Sequence, residues 1–510
     1  MLNNAFFILV ITSCITGCST LTQQHVGYPD NTDLVTQCSK AYSLIATSIK
    51  HAGVTDAEAY PIKGYPYLRS SRFLTSFLDK VNDENSISAW MDELILLDQQ
   101  AKTIEVMNLP IRARNSLITE VKNQTGKNWG INDVINECPS ELKKFDIEIP
   151  ERIAQIKNAA DIPDDYSLIK RTIGLYPLTK YIAYNGYQQW KKNNLDTFTN
   201  SKSIDGWNGS PVVYKPATSS LLDSLEIANI IQQSRDLDLN IPLLNQTQLK
   251  QLAEHFAPVL LIDEISDADK IGHPLWSDAN RPVIDTTRPV SFVRLSHTWF
   301  EGSVLPQLVY TIWFTERPKT SSWDILGGNL DGIIWRVTID NNGKALISDS
   351  IHPCGCYHLF FPGSGLIKTT EELNNTGLSE TIEAPQILPE SSISDRLTLR
   401  LSGNSHYLQA LSNEKKLNRH WQETTYKLII PDSIPDSALR SMPLTDDEHK
   451  SLYNTDGIVE GTERAERWLL WPMGIQSPGA MRQWGRHPTA FVGRRHFDDP
   501  YLVDQAFLRK

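Results

Sequence analysis

The apolar residues of this chain keep one spacing before Pro258 and another after it. Upstream, Leu34, Cys38, Tyr42 and Ile45 recur at three and four residues, as do Phe73, Phe77 and Val81, and again Trp90, Leu94 and Leu97. That spacing lines one face of an α-helix. Downstream, Leu308, Tyr310, Ile312 and Phe314 recur at every second residue, and Ile333, Trp335, Val337 and Ile339 repeat the pattern. Side chains of a strand alternate between its faces, so this period predicts strands buried on one side. The run Val259-Leu260-Leu261-Ile262 reads as a buried strand, and Asp340-Asn341-Asn342-Gly343 supplies residues that accept positive φ in a tight hairpin. The chain is therefore expected to be α+β, with a helical N-terminal region, an antiparallel β-rich domain that is sandwich-like or curled, and a mixed C-terminal segment.

At 510 residues the chain is too long for one comfortable core. Pro150, Pro163 and the stretch from Gly174 to Pro177 interrupt the helical pattern. The expected divisions are a helical domain over 36–165, a second helical region over 166–254 with a loop at 200–213, the β-rich domain over 255–430, and a C-terminal segment over 431–510 that packs on it. That last segment carries a short helix at 462–470. A formal net charge of −11 argues against a general nucleic-acid binder.

The first residues carry a different signal. Ala5-Phe6-Phe7-Ile8-Leu9-Val10-Ile11 opens an apolar run that ends in Ile15-Thr16-Gly17-Cys18. The run is shorter than the about 20 apolar residues that span a bilayer, and it suits the h-region of a signal peptide. Ile15-Thr16-Gly17-Cys18 resembles the lipobox of bacterial lipoproteins, although the residues before the run hold no Lys or Arg. The remainder of the chain resembles large uncharacterised envelope lipoproteins. The resemblance implies a signal peptide over 1–17, acylation of Cys18, a polar tether over 18–35, and a membrane partner held through that lipid. Ser19 after the cysteine implies the outer membrane, with the protein facing the periplasm.

That address bears on the other cysteines. Cys14 lies in the signal and Cys18 takes the lipid, which leaves Cys38, Cys138, Cys354 and Cys356. An oxidising compartment favours disulfides. Four cysteines allow three pairings, and Cys38 with Cys138 is the one that joins residues of the same helical region. Two buried free thiols are the competing reading.

Chemistry concentrates at His352-Pro353-Cys354-Gly355-Cys356-Tyr357-His358, with an imidazole or thiol at every second position. In a straight strand the outer pair would lie about 20 Å apart, so Pro353 and Gly355 must bend the chain before two or three of these groups share one ion. His352, His358, Cys354 and Cys356 are thus candidate ligands of a divalent metal such as zinc. A disulfide turn and plain packing remain open beside it. His297, Glu316 and Asp331 lie in or at the ends of neighbouring strands and are candidate catalytic groups, either for a metal-activated water or for metal-free acid–base work. Near the C-terminus Arg482, Trp484, Arg486 and His487 combine forked donors with an aromatic face. They suit a carboxylate or sugar ligand, or equally structural ion pairs.

No phosphate loop, dinucleotide fingerprint or nucleophile elbow is present in the sequence. Two functional expectations follow. One is a metal-dependent or acid–base hydrolase of the cell envelope. The other is a non-catalytic binding or scaffolding lipoprotein.

Overall fold

The computed structural model describes residue 28 and residues 34–125, 129–198, 206–277, 280–369, 379–390, 395–418, 420–430 and 437–510. The stretch expected to be a signal peptide, Cys18, and all of the expected tether except Tyr28, Leu34 and Val35 lie outside the described residues.

The helical spacing is realised as α1 (Leu34–Ala52), α2 (Glu84–Met107), α3 (Ile111–Thr125), α4 (Ile131–Ile147) and α5 (Pro150–Ala159). Each begins or ends where sequence chemistry requires it. Asp83 caps α2 by accepting from the backbone N–H groups of Asn85 and Ser86, and Pro150 starts α5 where no N–H is needed. Cys38, Tyr42 and Ile45 of α1 are fully buried against Leu117, Val121, Val134 and Leu142. Within that core Cys38 and Cys138 form a disulfide that links residues 100 apart in sequence. Two further helices, α6 (Leu168–Ile173) and α7 (Tyr176–Asn194), are joined at Gly174 and Leu175; α8 (Ser224–Gln233) and α9 (Gln246–Phe256) follow.

The second half is one large sheet. Its strands are β1 (Ser210–Pro216), β2 (Val259–Glu264), β3 (Ile271–Trp276), β4 (Pro282–Asp285), β5 (Val290–Phe300), β6 (Ser303–Arg317), β7 (Gly328–Ile339), β8 (Ala345–Ile351), β9 (Leu359–Pro362), β10 (Leu397–Leu401), β11 (Leu408–Asn413) and β12 (Gln422–Ile429). The order is β9-β8-β7-β6-β5-β12-β1-β2-β10-β11, with the β3–β4 hairpin added beside β6. The α+β class holds. The sheet is mixed, because β12 inserts in parallel between β1 and β5, and β10 runs parallel to β2. β1 also enters the sheet from a stretch read as loop.

Both faces of the sheet are covered. Leu308, Tyr310, Ile312 and Phe314 point to one face, where they pack with Ile227, Ile231, Leu252 and Ala253 of α8 and α9. The intervening Val309 and Trp313 face the other way, against Phe497 and against Met442, Val459 and Met481 of the C-terminal segment. The partner of the sheet is therefore helix on one side and C-terminal coil on the other. The C-terminal helix is shorter than expected, Arg467–Leu470, and a 3₁₀ turn Trp471–Met473 follows it. Among the described residues no helix is long and apolar enough to cross a membrane.

Candidate active site

A cavity of about 270 Å³ opens where α7, the turn over 353–358, the stretch 379–383, the start of the Arg467 helix and the segment 489–495 meet. Ala183, Tyr187 and Trp190 line it from α7. Their spacing of four and three places them on one helix face. Tyr357 and Tyr407 pack on Trp190 and continue the same wall: ring centroids lie 5.1 Å apart for Trp190 and Tyr357, 4.6 Å for Tyr357 and Tyr407, and 6.5 Å for Trp190 and Tyr407. Three carboxyl groups, Glu380, Glu383 and Glu466, enter the same space.

The three carboxyls are held differently. Burial raises Glu383, but it is outweighed by donors. Lys191 Nζ lies 2.7 Å and Thr381 Oγ1 2.7 Å from Oε1, and the Tyr187 hydroxyl also donates to it. The net result is a carboxylate below its usual range. Glu466 is 7 % exposed and no donor of the described residues reaches its carboxyl. Burial pushes it up to about 7 against the pull of Arg317 and Arg464. Glu380 accepts the backbone N–H groups of Phe491 and Val492 at 2.9 and 3.1 Å, and burial still pushes it up to about 7. Neighbouring carboxyls whose environments separate their affinities for protons are the pattern of acid–base sites.

Beneath the aromatic wall runs a chain of buried ionisable groups. Asp331 Oδ1 lies 3.3 Å from His352 Nδ1, Asp331 Oδ2 lies 2.8 Å from His406 Nδ1, and His406 Nε2 lies 3.2 Å from Asp269 Oδ1. Burial raises Asp331, yet the two imidazoles hold it well below the ordinary range. His406, flanked by two carboxylates, is raised in spite of its burial. The His352 ring is 5.0 Å from Tyr357 and 5.7 Å from Tyr407, so this chain supports the wall from behind. Leu330, Tyr357 and His406 all carry left-handed backbone, with φ of 49°, 62° and 52°. Such conformations cost energy for residues with a Cβ and persist only where the surroundings impose them.

The turn over 353–358 is set by Gly355. Its φ is +88°, and a Cβ there would lie 2.4 Å from the Pro488 carbonyl oxygen. Backbone bonds from His352 N–H to Cys356 O (3.0 Å) and from Gly355 N–H to His352 O (2.8 Å) close it. Cys354 and Cys356 are buried free thiols, which excludes the disulfide alternatives for this pair, since Cys38 and Cys138 are joined to each other. The four ligand candidates do not converge. His352 turns to Asp331, while His358 turns to Asp349, 2.7 Å away, which also takes Arg336. Among the described residues no group of three or more His, Cys, Asp or Glu is arranged to hold a metal ion. The proposed zinc loop is corrected to a structural turn, because the bend sends alternate side chains to different carboxylates.

The other candidates disperse too. Asp331 belongs to the buried chain, but Glu316 is exposed at the end of β6. His297 stacks on Phe73 with centroids 5.0 Å apart, and its Nε2 lies 3.0 Å from Pro242 O; burial lowers it to about 4. It joins the helical layer to the sheet, away from the cavity. In the C-terminal cluster, Arg482 donates to the Gln476 and Ser477 carbonyl oxygens, Arg486 to Tyr60 and Asp165, and Trp484 packs on Phe497 with Arg294 over its ring. His487 is buried beside Phe497 and lowered to about 3. These four form structural contacts, not a shared ligand site. The residues that do line the cavity, Tyr187, Trp190, Glu380, Glu383, Tyr407 and Glu466, come from separate segments without a common motif.

The chain matches no protein-family model, no curated protein and no solved structure.

Proposed function

We propose that this chain is a metal-free acid–base hydrolase of the cell envelope, held to the membrane by lipid on Cys18. One observation carries the chemistry: a single aromatic-walled cavity contains a nearly buried carboxyl with no donor, Glu466, and a carboxylate held ionised by three donors, Glu383. Near neutral pH a carboxyl that titrates at about 7 keeps a proton to give. Glu383 takes a proton from water as the water oxygen attacks the substrate centre. Glu466 gives its proton to the departing oxygen as that bond breaks. Each carboxyl returns to its starting state by exchange with solvent. Trp190, Tyr357 and Tyr407 hold the substrate by their faces and keep bulk water out.

The test is turnover of 4-nitrophenyl glycosides and esters by the full chain. Glu466→Gln keeps the shape and removes the acid, so kcat should fall by about 100-fold or more. Equal turnover in wild type and variant, or none in either, rejects the catalytic reading and leaves a binding protein whose cavity holds a ligand without converting it. For the anchor, Cys18→Ala should abolish palmitate labelling of the chain. Unchanged labelling would reject the lipoprotein assignment.

A further inference from the structure

A second feature of the molecule lies outside the cavity. Leu168, Ile169, Ile173, Leu175, Leu178 and Ile182 of α6 and α7 are all more than half exposed, from 58 % for Ile182 to 73 % for Ile169. Trp468, at 74 %, and Leu469, at 52 %, are exposed on the Arg467–Leu470 helix, with Trp471 beside them. Ordinary surfaces scatter such residues singly, so a run of this density marks a contact surface.

The two pieces form one continuous face because they are locked together. A Cβ on Gly174 would lie 2.5 Å from Pro472 Cβ, so the α6–α7 corner sits directly on the Trp471–Met473 turn. Ser167 N–H donates to Gly474 O at 2.9 Å, and Arg171 Nε donates to Met473 O at 2.8 Å. Leu175 takes left-handed backbone, φ 49°, to make the corner. The fold thus uses hydrogen bonds and a tight glycine contact to present apolar side chains outward.

Charge points to the occupant. From Ser167 to Leu195 the chain holds no acidic residue, although the whole chain carries −11; Arg171 is buried on the Met473 and Gly493 carbonyls and Lys191 is paired with Glu383, so Lys170, Lys180 and Lys192 are the basic heads of this stretch. Lys180 Nζ lies 5.8 Å from the Tyr181 ring centroid, and Arg467 lies over the Trp468 ring at 4.9 Å. Apolar side chains capped by aromatic rings and basic heads suit the boundary between acyl chains and anionic headgroups.

We propose that this α6–α7 and Trp468 face docks on an anionic lipid bilayer, lying in its surface without crossing it. The face holds whether or not the cavity is catalytic. It borders the cavity mouth, since Ile182 and Leu469 belong to both.

The test uses the full chain carrying Cys18→Ser, which has no acylation site, and vesicles of phosphatidylethanolamine and phosphatidylglycerol at three to one. Sedimentation with the vesicles gives a partition coefficient. The double substitution Ile173→Asp and Trp468→Asp, both at exposed positions, should lower it by at least about 10-fold, with an unchanged melting curve. Replacing the vesicles with pure phosphatidylcholine should also weaken binding. Equal partitioning of the two chains overturns the proposal. So does a concentration-dependent dimer in sedimentation velocity that the same substitutions abolish, because the face would then belong to a second copy of this chain.

Discussion

The helical layer and the cavity both bury carboxyl groups, and Glu466 of the cavity differs from Asp56, Asp98 and Glu105 of the layer in what it is given for company. In the helical layer Arg69 donates to both Glu105 oxygens and to Asp98, which also takes Lys102 at 2.6 Å. Asp56 binds Arg440 at 2.6 Å and Gln483 at 2.7 Å, tying that layer to the C-terminal segment. Burial would raise Asp56, but the Arg440 guanidinium keeps it below its ordinary range. Around the cavity, Glu466 is just as enclosed and has no donor. Pairing Asp56, Asp98 and Glu105 with cations makes a joint, whereas leaving Glu466 without a donor at an aromatic wall stores a proton. The difference separates groups that hold the fold from groups available for chemistry, which residue type alone does not.

Several experiments break or sharpen this contrast. The largest effect is expected where a paired charge is lost. Arg440→Ala leaves Asp56 without its main cation, while Glu58 keeps Arg294, and should cost about 3 to 5 kcal/mol in urea unfolding. A loss below about 1 kcal/mol would mean that the joint is not structural. Next comes the covalent joint of the same layer. Cys138→Ser opens the disulfide that closes 100 residues and should cost about 3 kcal/mol, read as a lower denaturant midpoint. An unchanged midpoint on adding reductant to wild type would contradict it.

At the cavity the sign depends on pH. Burial raises the Glu466 carboxyl from 4.5 to about 7, so the folded state holds its proton more tightly than the unfolded chain does. Stability from this group is complete below pH 4.5 and is lost as pH rises through about 7. Glu466→Gln cannot ionise, so it should be more stable than wild type by about 3 kcal/mol at pH 8 and equal to it at pH 4. Equal melting temperatures at both values would show that Glu466 is ordinary. The smallest effect is at its neighbour. Tyr187→Phe removes one of the donors to Glu383 and should cost about 1 kcal/mol. It should also move the acid limb of any activity profile to higher pH, a shift that a packing role for Tyr187 would not produce.

Much of the fold could be read from the residues. Cys38 and Cys138 fall in one helical pattern, and they do meet. Leu308, Tyr310, Ile312 and Phe314 do share a sheet face. The site was far less legible. His352 and His358 stand at even spacing in sequence, yet the Gly355 bend sends them to Asp331 and Asp349. His406 and Asp269, which complete the buried chain, lie far from His352 in sequence and carry no spacing signal. Glu466 was part of a stretch read only as short helix.

The sequence by itself determined the class of the fold, because period is set by whether neighbouring side chains alternate or wind around an axis. It also favoured Cys38 with Cys138, since both fall in one helical region, but only the packing of that region decided the pair. Only the tertiary structure decided that β12 lies parallel between β1 and β5, and which carboxyls share a cavity with which aromatics. Those outcomes depend on long-range packing and on how much water and counter-charge each buried group retains. A list of residues in order carries neither quantity.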